Sequence, residues 1–135
     1  MIEIDTKRRM EIIDITYEVE SKLKDNASHE GGFSSGLCLV YSMHTTTGLI
    51  VNEADGALIE DILDILEKIV PKGAGYQHDR SDGNAHAHLR ATLIGNSAIV
   101  PVQAGRLALG TWQRILFVEL DGPRKRNVFI QFIEK

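Results

Sequence analysis

Apolar side chains recur every three or four residues in three stretches of the chain, and this spacing predicts three helices. The core-facing positions of the first are Ile15, Val19 and Leu23. The second is the main helix, which Asp55 would cap and Pro71 would end. Its wide apolar stripe comprises Leu58, Ile59, Ile62, Leu63, Ile65, Leu66, Ile69 and Val70. The third is short, over residues 86–94, and its expected inward positions are Leu89, Leu93 and Ile94.

Strand patterns occupy most of the remaining chain. Residues 1–7 alternate between apolar and polar, and Ile12 and Ile13 would extend that strand past a charged turn. The run 36–43 is almost continuously apolar and therefore predicts a buried strand. Further strands are predicted at 49–51, 98–102, 105–109, 115–120 and 128–133. Strands mixed with two or three helices, without a regular βαβ repeat, indicate an α+β fold in one domain, residues 1–135.

Composition and charge exclude several classes of protein. A net charge of −4 and a pI near 5.7 argue against a general nucleic-acid binder, which would be basic. No apolar run approaches the length of a membrane span, and the charged N-terminus is unlike a signal peptide. The single cysteine, Cys38, excludes an intramolecular disulfide and lies in an apolar run where inert burial is expected. We therefore expect a cytoplasmic protein.

Histidines are the best clue to chemistry, because four of the five lie in two short polar segments. His44 begins the segment His-Thr-Thr-Thr-Gly, and His78, His86 and His88 lie within residues 78–88. Neutral imidazole is the commonest protein ligand for zinc. The spacing matches no standard motif, and His86 and His88 would not face each other on a helix. The clustering nevertheless predicts a metal site, whereas His29, in a polar loop, is expected to be a surface residue.

Acidic and hydroxyl side chains accompany these histidines. Glu53 and Asp79 are candidate catalytic carboxylates, which would orient an imidazole or accept a proton. The alternative for Glu53 is that it only complements the dipole of the main helix. Thr45 and Thr46 also allow two interpretations. Threonines are typical of a strand end, and their hydroxyls and backbone amides could instead bind an anion such as phosphate.

Arginines supply the second half of the candidate site. Arg90, Arg106 and Arg124 follow the histidine segments along the chain. Arginines beside a metal would suit a phosphorylated substrate, by paired hydrogen bonds to its oxygens. For the run at residues 124–126 a solvated turn is the alternative, and Trp112 is more typical of a core or an interface than of a ligand platform. Motifs for P-loop, dinucleotide-binding, zincin and serine-hydrolase sites are absent.

Several motifs occur together and in order along nearly the whole chain. They include His44-Thr-Thr-Thr-Gly-Leu-Ile-Val-Asn-Glu53, Asn84-Ala-His-Ala-His88-Leu-Arg-Ala, Leu109-Gly-Thr-Trp-Gln113 and Glu119-Leu-Asp-Gly-Pro-Arg124. In these the chain resembles the YjbQ-like family. The resemblance implies a compact α+β fold with a mixed sheet and a homotrimeric assembly.

The resemblance also implies a site and an activity. A divalent metal, zinc first, would be held by His44, His78 and His88, with His86 at a more variable position. Some members of the family are described as having weak thiamine-phosphate synthase activity. We therefore expect a metal-dependent enzyme acting on a small phosphorylated molecule. The alternative is a non-catalytic trimer that binds a metal or an anion.

Overall fold

The computed structural model describes residues 1–27 and 33–135, so the expectation for His29 lies outside the described residues. In chain order the strands are β1 (Ile2–Asp5), β2 (Glu11–Asp14), β3 (Gly36–Ser42), β4 (Thr47–Asn52), β5 (Ser97–Gln103), β6 (Arg106–Leu107), β7 (Arg114–Glu119) and β8 (Lys125–Glu134). The α-helices are α1 (Thr16–Ala27), α2 (Gly56–Ile69) and α3 (Ala85–Ile94), and a 3₁₀ turn spans Gln77–Arg80. The predicted α+β class is confirmed.

The strands form two sheets. The larger has the order β1-β8-β3-β5-β6, and the smaller has the order β2-β7-β4. Every strand pair in the described chain is antiparallel, so the expectation of a mixed sheet is wrong. The extension of β1 through Ile12 and Ile13 is also wrong, because β2 crosses to the smaller sheet and pairs with β7. The charged turn between β1 and β2 is long enough for the chain to pass from the larger sheet to the smaller one. The alternation of apolar and polar residues does not reveal this change of sheet.

The smaller sheet is covered on both faces, which explains the unbroken apolar sequence of β7. Ile115 and Phe117 point into the main core, between the two sheets and α1. Val118 points the other way, into a second core that Leu66 of α2 and Ala87 of α3 complete. The predicted inner face of α1 is confirmed, since Ile15, Val19 and Leu23 are all buried in the main core.

Helices α2 and α3 leave much of their apolar surface uncovered. Asp55 caps α2 as predicted, since its carboxylate accepts a hydrogen bond from the Leu58 amide at 3.0 Å. Yet Ile65 and Ile69 are 48% and 60% exposed. In α3 the expected inward positions Leu89 and Leu93 are wrong, because Ala87 and Arg90 face inward instead. Ala87 is fully buried in the second core with Val118 and Leu120, and α3 lies against β4. This orientation of α3 leaves both leucines at the surface.

The outer face of the larger sheet is also apolar and uncovered. Strand β3 buries Cys38 and Val40 but exposes Leu37 and Tyr41 on the opposite face, so the expectation of a fully buried strand is wrong for this face. Exposed apolar neighbours on β5 and β8 are Ile99, Phe129 and Ile133. Cys38 itself is buried as expected, and burial raises the pKa of its thiol to about 11. None of the described helices is long and apolar enough to cross a membrane.

Candidate functional site

The crossing between the two sheets begins the site. Strand β3 belongs to the larger sheet and β4 to the smaller, so the segment His44-Thr45-Thr46 bridges them. Helix α3 packs beside this segment, and Gly48 permits the close approach. A β-carbon at Gly48 would collide with the side chain of Ile94 near the end of α3. The polar break predicted between two apolar runs is therefore where the chain changes sheets.

His44 takes a structural hydrogen bond. Its Nε2 accepts from the backbone N–H of Asn127 at 3.0 Å, beyond the point where β3 ends and its pairing with β8 stops. Accepting at Nε2 places the proton of the neutral imidazole on Nδ1. Burial lowers the pKa of His44, and the nearby Arg126 guanidinium lowers it further. His44 is therefore a neutral ring whose Nδ1–H is its available hydrogen-bonding group.

His88 is the central histidine of the three predicted ligands. Its ring meets the ring of His78 edge-on, with the centroids 4.9 Å apart. His78 in turn directs Nε2 to the amide oxygen of Asn84 at 3.1 Å. His88 also shares a cleft with His44. The structure thus brings His78 into contact with His88 and places His44 and His88 in the walls of one cleft. We call these three residues the histidine row.

This row does not fit a metal as its side chains lie. Within residues 1–27 and 33–135, no three histidine, cysteine, aspartate or glutamate side chains are grouped so as to hold a metal ion. Nε2 of His44 is engaged by Asn127, and Nε2 of His78 faces Asn84. Coordination by both rings through Nε2 would require each to leave its present partner. The zinc site therefore stays a prediction.

A buried ion pair supports the floor of the site. Arg126 donates through Nε and Nη2 to the two carboxylate oxygens of Glu119, at 2.9 and 2.6 Å. Glu119 is fully buried, and its carboxylate also accepts from the Thr6 hydroxyl and from the amides of residues 120 and 121. Burial alone raises the pKa of this carboxyl, but the hydrogen bonds from Arg126 and Thr6 lower it overall. Arg126 also donates to the Thr46 hydroxyl at 2.8 Å, which fixes the bridging segment.

Asp121 organises the rim of the site. Its side chain is 6% exposed and accepts from Arg9 at 2.8 Å, from Arg124 at 3.2 Å and from Asn84 at 3.2 Å. Burial raises the pKa of Asp121, but these three hydrogen bonds lower it overall, so the carboxylate stays charged. Because Asn84 also faces His78, Asp121 ties the arginines to the histidine row.

Two clefts meet at this rim, and the first of them consists of two adjoining parts. Adjoining clefts of about 420 and 320 Å³ share His44, Thr45 and His88 in their walls, and we call them together the histidine cleft. Arg124 and Arg126 also line it. A larger cleft of about 830 Å³, which we call the basic cleft, has Arg9, Lys72, His86, Arg90 and Arg124 among its lining residues. Asn84, Asp121 and Arg124 form a wall common to both.

Not every predicted substrate-binding residue reaches the histidines. Thr45 and Arg124 line the histidine cleft, and Thr46 lies there with its hydroxyl bound to Arg126. Arg90 lines the basic cleft instead. Arg106 lines a separate cleft against α1, with Glu20 and Lys24, so the structure does not bring it to the other arginines.

The two predicted catalytic carboxylates also lie apart. Glu53 is exposed between β4 and α2 and belongs to neither the histidine cleft nor the basic cleft. Asp79 precedes α3, and its carboxylate accepts from the Ala85 amide at 2.9 Å. That contact satisfies a helix-start N–H that has no partner within the helix. The structure therefore gives Asp79 a capping contact, and no contact that directs it to His44 or His88 is present among the described residues.

We expect Asp79→Ala to lower the free energy of unfolding by about 1 kcal/mol, because the Ala85 amide loses its side-chain acceptor. Glu53→Gln, which changes an exposed carboxylate, should leave the stability within about 0.5 kcal/mol of the unmodified protein. Urea denaturation of both variants measures the difference. Equal stabilities would show that the Asp79 contact contributes nothing to the start of α3.

Sequence reasoning missed the polar residues that build the rim and floor. These are Arg9, Asn84, Glu119, Asp121 and Arg126. One signal was present, since two acids and two arginines occur within residues 119–126 of an otherwise apolar strand and its turn. Charged residues inside an apolar run indicate a buried pair or a site. The pattern predicts a role for Arg124 alone in that run, because the side chains that give Asp121 and Arg126 their roles, such as Asn84 and Thr46, are more than 30 residues away along the chain.

Comparison with known proteins agrees with this architecture. A model of the family described as UPF0047 protein YjbQ-like matches residues 1–135. The chain belongs to this family. A UPF0047 protein from Archaeoglobus fulgidus is 56% identical over 128 residues, which cover 95% of each chain. The UPF0047 protein YugU of Bacillus subtilis is 40% identical, over 98% of this chain and 96% of its own.

The fold of the UPF0047 family is also known from crystal structures. That of a hypothetical protein from Aeropyrum pernix superposes with a TM-score of 0.92 at 44% identity, over 99% of this chain and 96% of the other. The family resemblance of the sequence motifs is thus confirmed. None of these three names states a substrate, a metal or a reaction.

Proposed function

We propose that this protein is an enzyme that binds a small phosphorylated molecule in the histidine cleft. The observation that supports this most directly is the composition of one wall, where His44 and His88 lie with Thr45, Arg124 and Arg126. Imidazoles that can transfer a proton lie beside groups that can bind an anion. That combination suits reactions in which negative charge develops on a phosphate or a diphosphate.

The anion-binding groups are positioned before any ligand arrives. Arg126 is neutralised by Glu119, whereas Asp121 faces both Arg9 and Arg124, so the pairs at the rim leave one positive charge in excess. The Arg124 side chain is half-exposed, and Thr45, which is exposed, lines the same cleft. A phosphoryl oxygen would take hydrogen bonds from both groups, with further donation from Nδ1–H of His44.

His88 is our candidate for the group that transfers a proton. Among the described residues its ring has no hydrogen-bond partner, and its known contact is with the edge of His78. A half-buried imidazole without a fixed partner retains one nitrogen as a donor and one as an acceptor. The first reaction to test is thiamine-phosphate synthesis, in which the ring nitrogen of a thiazole phosphate bonds to the methylene carbon of an aminopyrimidine methyl diphosphate, and the bond from that carbon to the diphosphate breaks. The leaving diphosphate takes up negative charge. Arg124 and His88 would meet that charge.

The expected metal belongs to this proposal as a separate element. Zinc held by His44, His78 and His88 is favoured by the contact between the His78 and His88 rings, although two of the three rings would have to turn. A bound metal would supply a Lewis acid for a phosphoryl oxygen. We also expect the protein to act in the cytoplasm, since its one cysteine is a buried free thiol.

We expect Arg124→Ala to weaken binding of the phosphorylated substrate about tenfold or more, because one charged hydrogen bond to the anion is lost. The substrate is sought by screening small phosphate and diphosphate esters, thiamine precursors first, for both heat of binding and turnover. Lys125→Ala is the matched control, since Lys125 is the exposed neighbour and lines neither cleft. Binding unchanged in Arg124→Ala would place the anion elsewhere.

A second candidate is a non-catalytic trimer that binds an anion or a metabolite. It is favoured by the positions of the two predicted catalytic carboxylates, since neither Glu53 nor Asp79 lines the histidine cleft. Assembly is favoured for both candidates by one exposed apolar sheet face, because monomers rarely expose a large contiguous apolar patch. That face is formed by Leu37, Tyr41, Ile99, Phe129 and Ile133. Binding of a phosphate ester without turnover, at all substrates tried, would favour this candidate over the enzyme.

We propose a homotrimer in either case and expect light scattering to give three times the 15.0 kDa mass of the chain at micromolar concentration. Ile99→Lys, which places a charge at a 62% exposed position on the sheet face, should shift the mass toward the monomer. Glu53→Lys, a charge reversal at an exposed position away from that face, is the control. A stable monomer in the unmodified protein would exclude the assembly.

A further inference from the structure

The basic cleft is a second feature that the proposed function leaves unexplained. It lies across the Asn84–Asp121–Arg124 wall from the histidine cleft, between the β1–β2 turn, the end of α2 and the first turns of α3. Its volume of about 830 Å³ falls in the range of small-molecule sites and exceeds what an isolated phosphate fills. Its inner residues, unlike those at its mouth, are buried.

The His86 side chain has a buried polar atom that lacks a hydrogen-bond partner. The residue is 6% exposed, and its Nδ1 is the buried side-chain atom that has no hydrogen-bond partner in the described structure. Its Nε2 is not sealed off in this way and has no partner among the described residues either. Buried N–H groups without an acceptor are rarer than unpaired acceptors. With its proton on Nε2, the ring buries no unpaired N–H and offers a donor to the cleft that it lines.

Arg90 places a guanidinium at the same end. Its side chain is buried, with Nε donating to the Val70 carbonyl at 3.0 Å and Nη1 lying 3.0 Å from the Met10 sulfur. No carboxylate lies within 4.0 Å of it in the described part of the chain. A buried arginine without a carboxylate partner is costly unless an anion compensates its charge. Burial lowers the pKa of Arg90, yet an arginine remains charged at any physiological pH.

The acids of the cleft do not supply that anion. Asp121 is already shared between Arg9 and Arg124. Glu67 and Asp82 are exposed at the mouth. The charge of Glu67 raises the pKa of Arg90 and so partly offsets the effect of burial, but Glu67 makes no ion pair with Arg90 within 4.0 Å in the described part of the chain. Asp82 lies 3.9 Å from His78. Lys72, also at the mouth, adds a positive charge after the end of α2. We propose that the basic cleft is a second oxyanion site, which takes the phosphate or diphosphate group of a small molecule against Arg90, the Nε2–H of His86 and Lys72.

Titration calorimetry of the full-length protein with inorganic pyrophosphate tests the site. We expect Lys72→Ala and His86→Leu each to weaken one class of binding about tenfold, because each removes one donor to a charged oxygen. His86→Gln restores an N–H donor and should recover most of the affinity. Lys72 is exposed, so its variant retains the fold even if the buried His86→Leu does not.

Two further variants separate this site from the histidine cleft. Lys68→Ala removes an exposed charge on α2, outside the basic cleft, and should bind as the unmodified protein does. Thr45→Val alters the histidine cleft and should leave the Lys72-dependent class unchanged. The second site is refuted if Thr45→Val, as a single substitution, abolishes all pyrophosphate binding. It is also refuted if Lys72→Ala and His86→Leu both bind pyrophosphate as the unmodified protein does. That result would leave the proposed function intact, since it rests on Thr45, Arg124 and His88.

Discussion

Arg126→Met is expected to destabilise the protein by about 3–5 kcal/mol, because it leaves the fully buried Glu119 carboxylate without a countercharge. The guanidinium now makes two hydrogen bonds to Glu119 and one to Thr46. Methionine fills a similar volume but donates none of them. Urea denaturation followed by circular dichroism measures the loss, which is a large fraction of the usual stability of a small domain, about 5–15 kcal/mol.

Arg124→Ala is the matched control for stability. Arg124 pairs with Asp121 in the same turn, but its side chain is 55% exposed, so the loss should stay below about 1 kcal/mol. The double variant Glu119→Leu with Arg126→Met should recover part of the stability, because no unpaired charge remains buried. A loss in Arg126→Met no larger than that in Arg124→Ala would mean that the pair contributes little.

The Glu119–Arg126 ion pair also determines how the stability of the protein changes at acid pH. Hydrogen bonds hold the pKa of Glu119 below its ordinary value despite burial, so folding favours the charged form. The stability that it contributes is present above the carboxyl group's unfolded pKa of about 4.3 and is lost as pH falls through the lower folded value. Asp14 and Asp121 act in the same direction, since their pKa values are also lowered. In Arg126→Met this acid-sensitive step should be smaller.

Elements with a strong local pattern were predictable, and sheet partnership was not. The face of α1 and the Asp55 cap follow from residues within one or two turns of each other. The division of the strands between two sheets depends on pairings such as Ile12 with Val118, more than a hundred residues apart. Alternation is the same in either sheet, so it carries no information about which partner a strand takes.

The candidate site also had features that the sequence predicted and features that it did not. Residue type, the clustering of the histidines and the family resemblance together were enough to select His44, His88, Thr45 and Arg124, which do share one cleft. It was not enough to separate a chemical role from a structural one. The His44 ring completes the hydrogen bonding of the Asn127 amide at a strand end, and Asp79 caps a helix. Both roles use contacts to backbone amides that no side-chain pattern encodes.

His88→Ala is expected to lower turnover of the phosphorylated substrate by a factor of about 10²–10⁴, the usual contribution of a positioned proton-transfer group. Its melting temperature should change little, since the ring is only half-buried and lacks a hydrogen-bond partner among the described residues. Steady-state kinetics on the substrate found by the screen, together with thermal unfolding, measure the two effects. A fall in kcat with little change in KM would place the loss in the reaction itself.

His44→Ala is the informative comparison, because it removes the acceptor of the Asn127 amide. It should lower the free energy of unfolding by about 1–3 kcal/mol, the cost of a partly buried N–H left without a partner. Elemental analysis of both variants tests the zinc proposal at the same time, since loss of any one ligand should lower the bound metal while His88→Ala stays folded. Full turnover in His88→Ala would remove this residue from the reaction, and unchanged zinc in both variants would exclude the histidine row as its site.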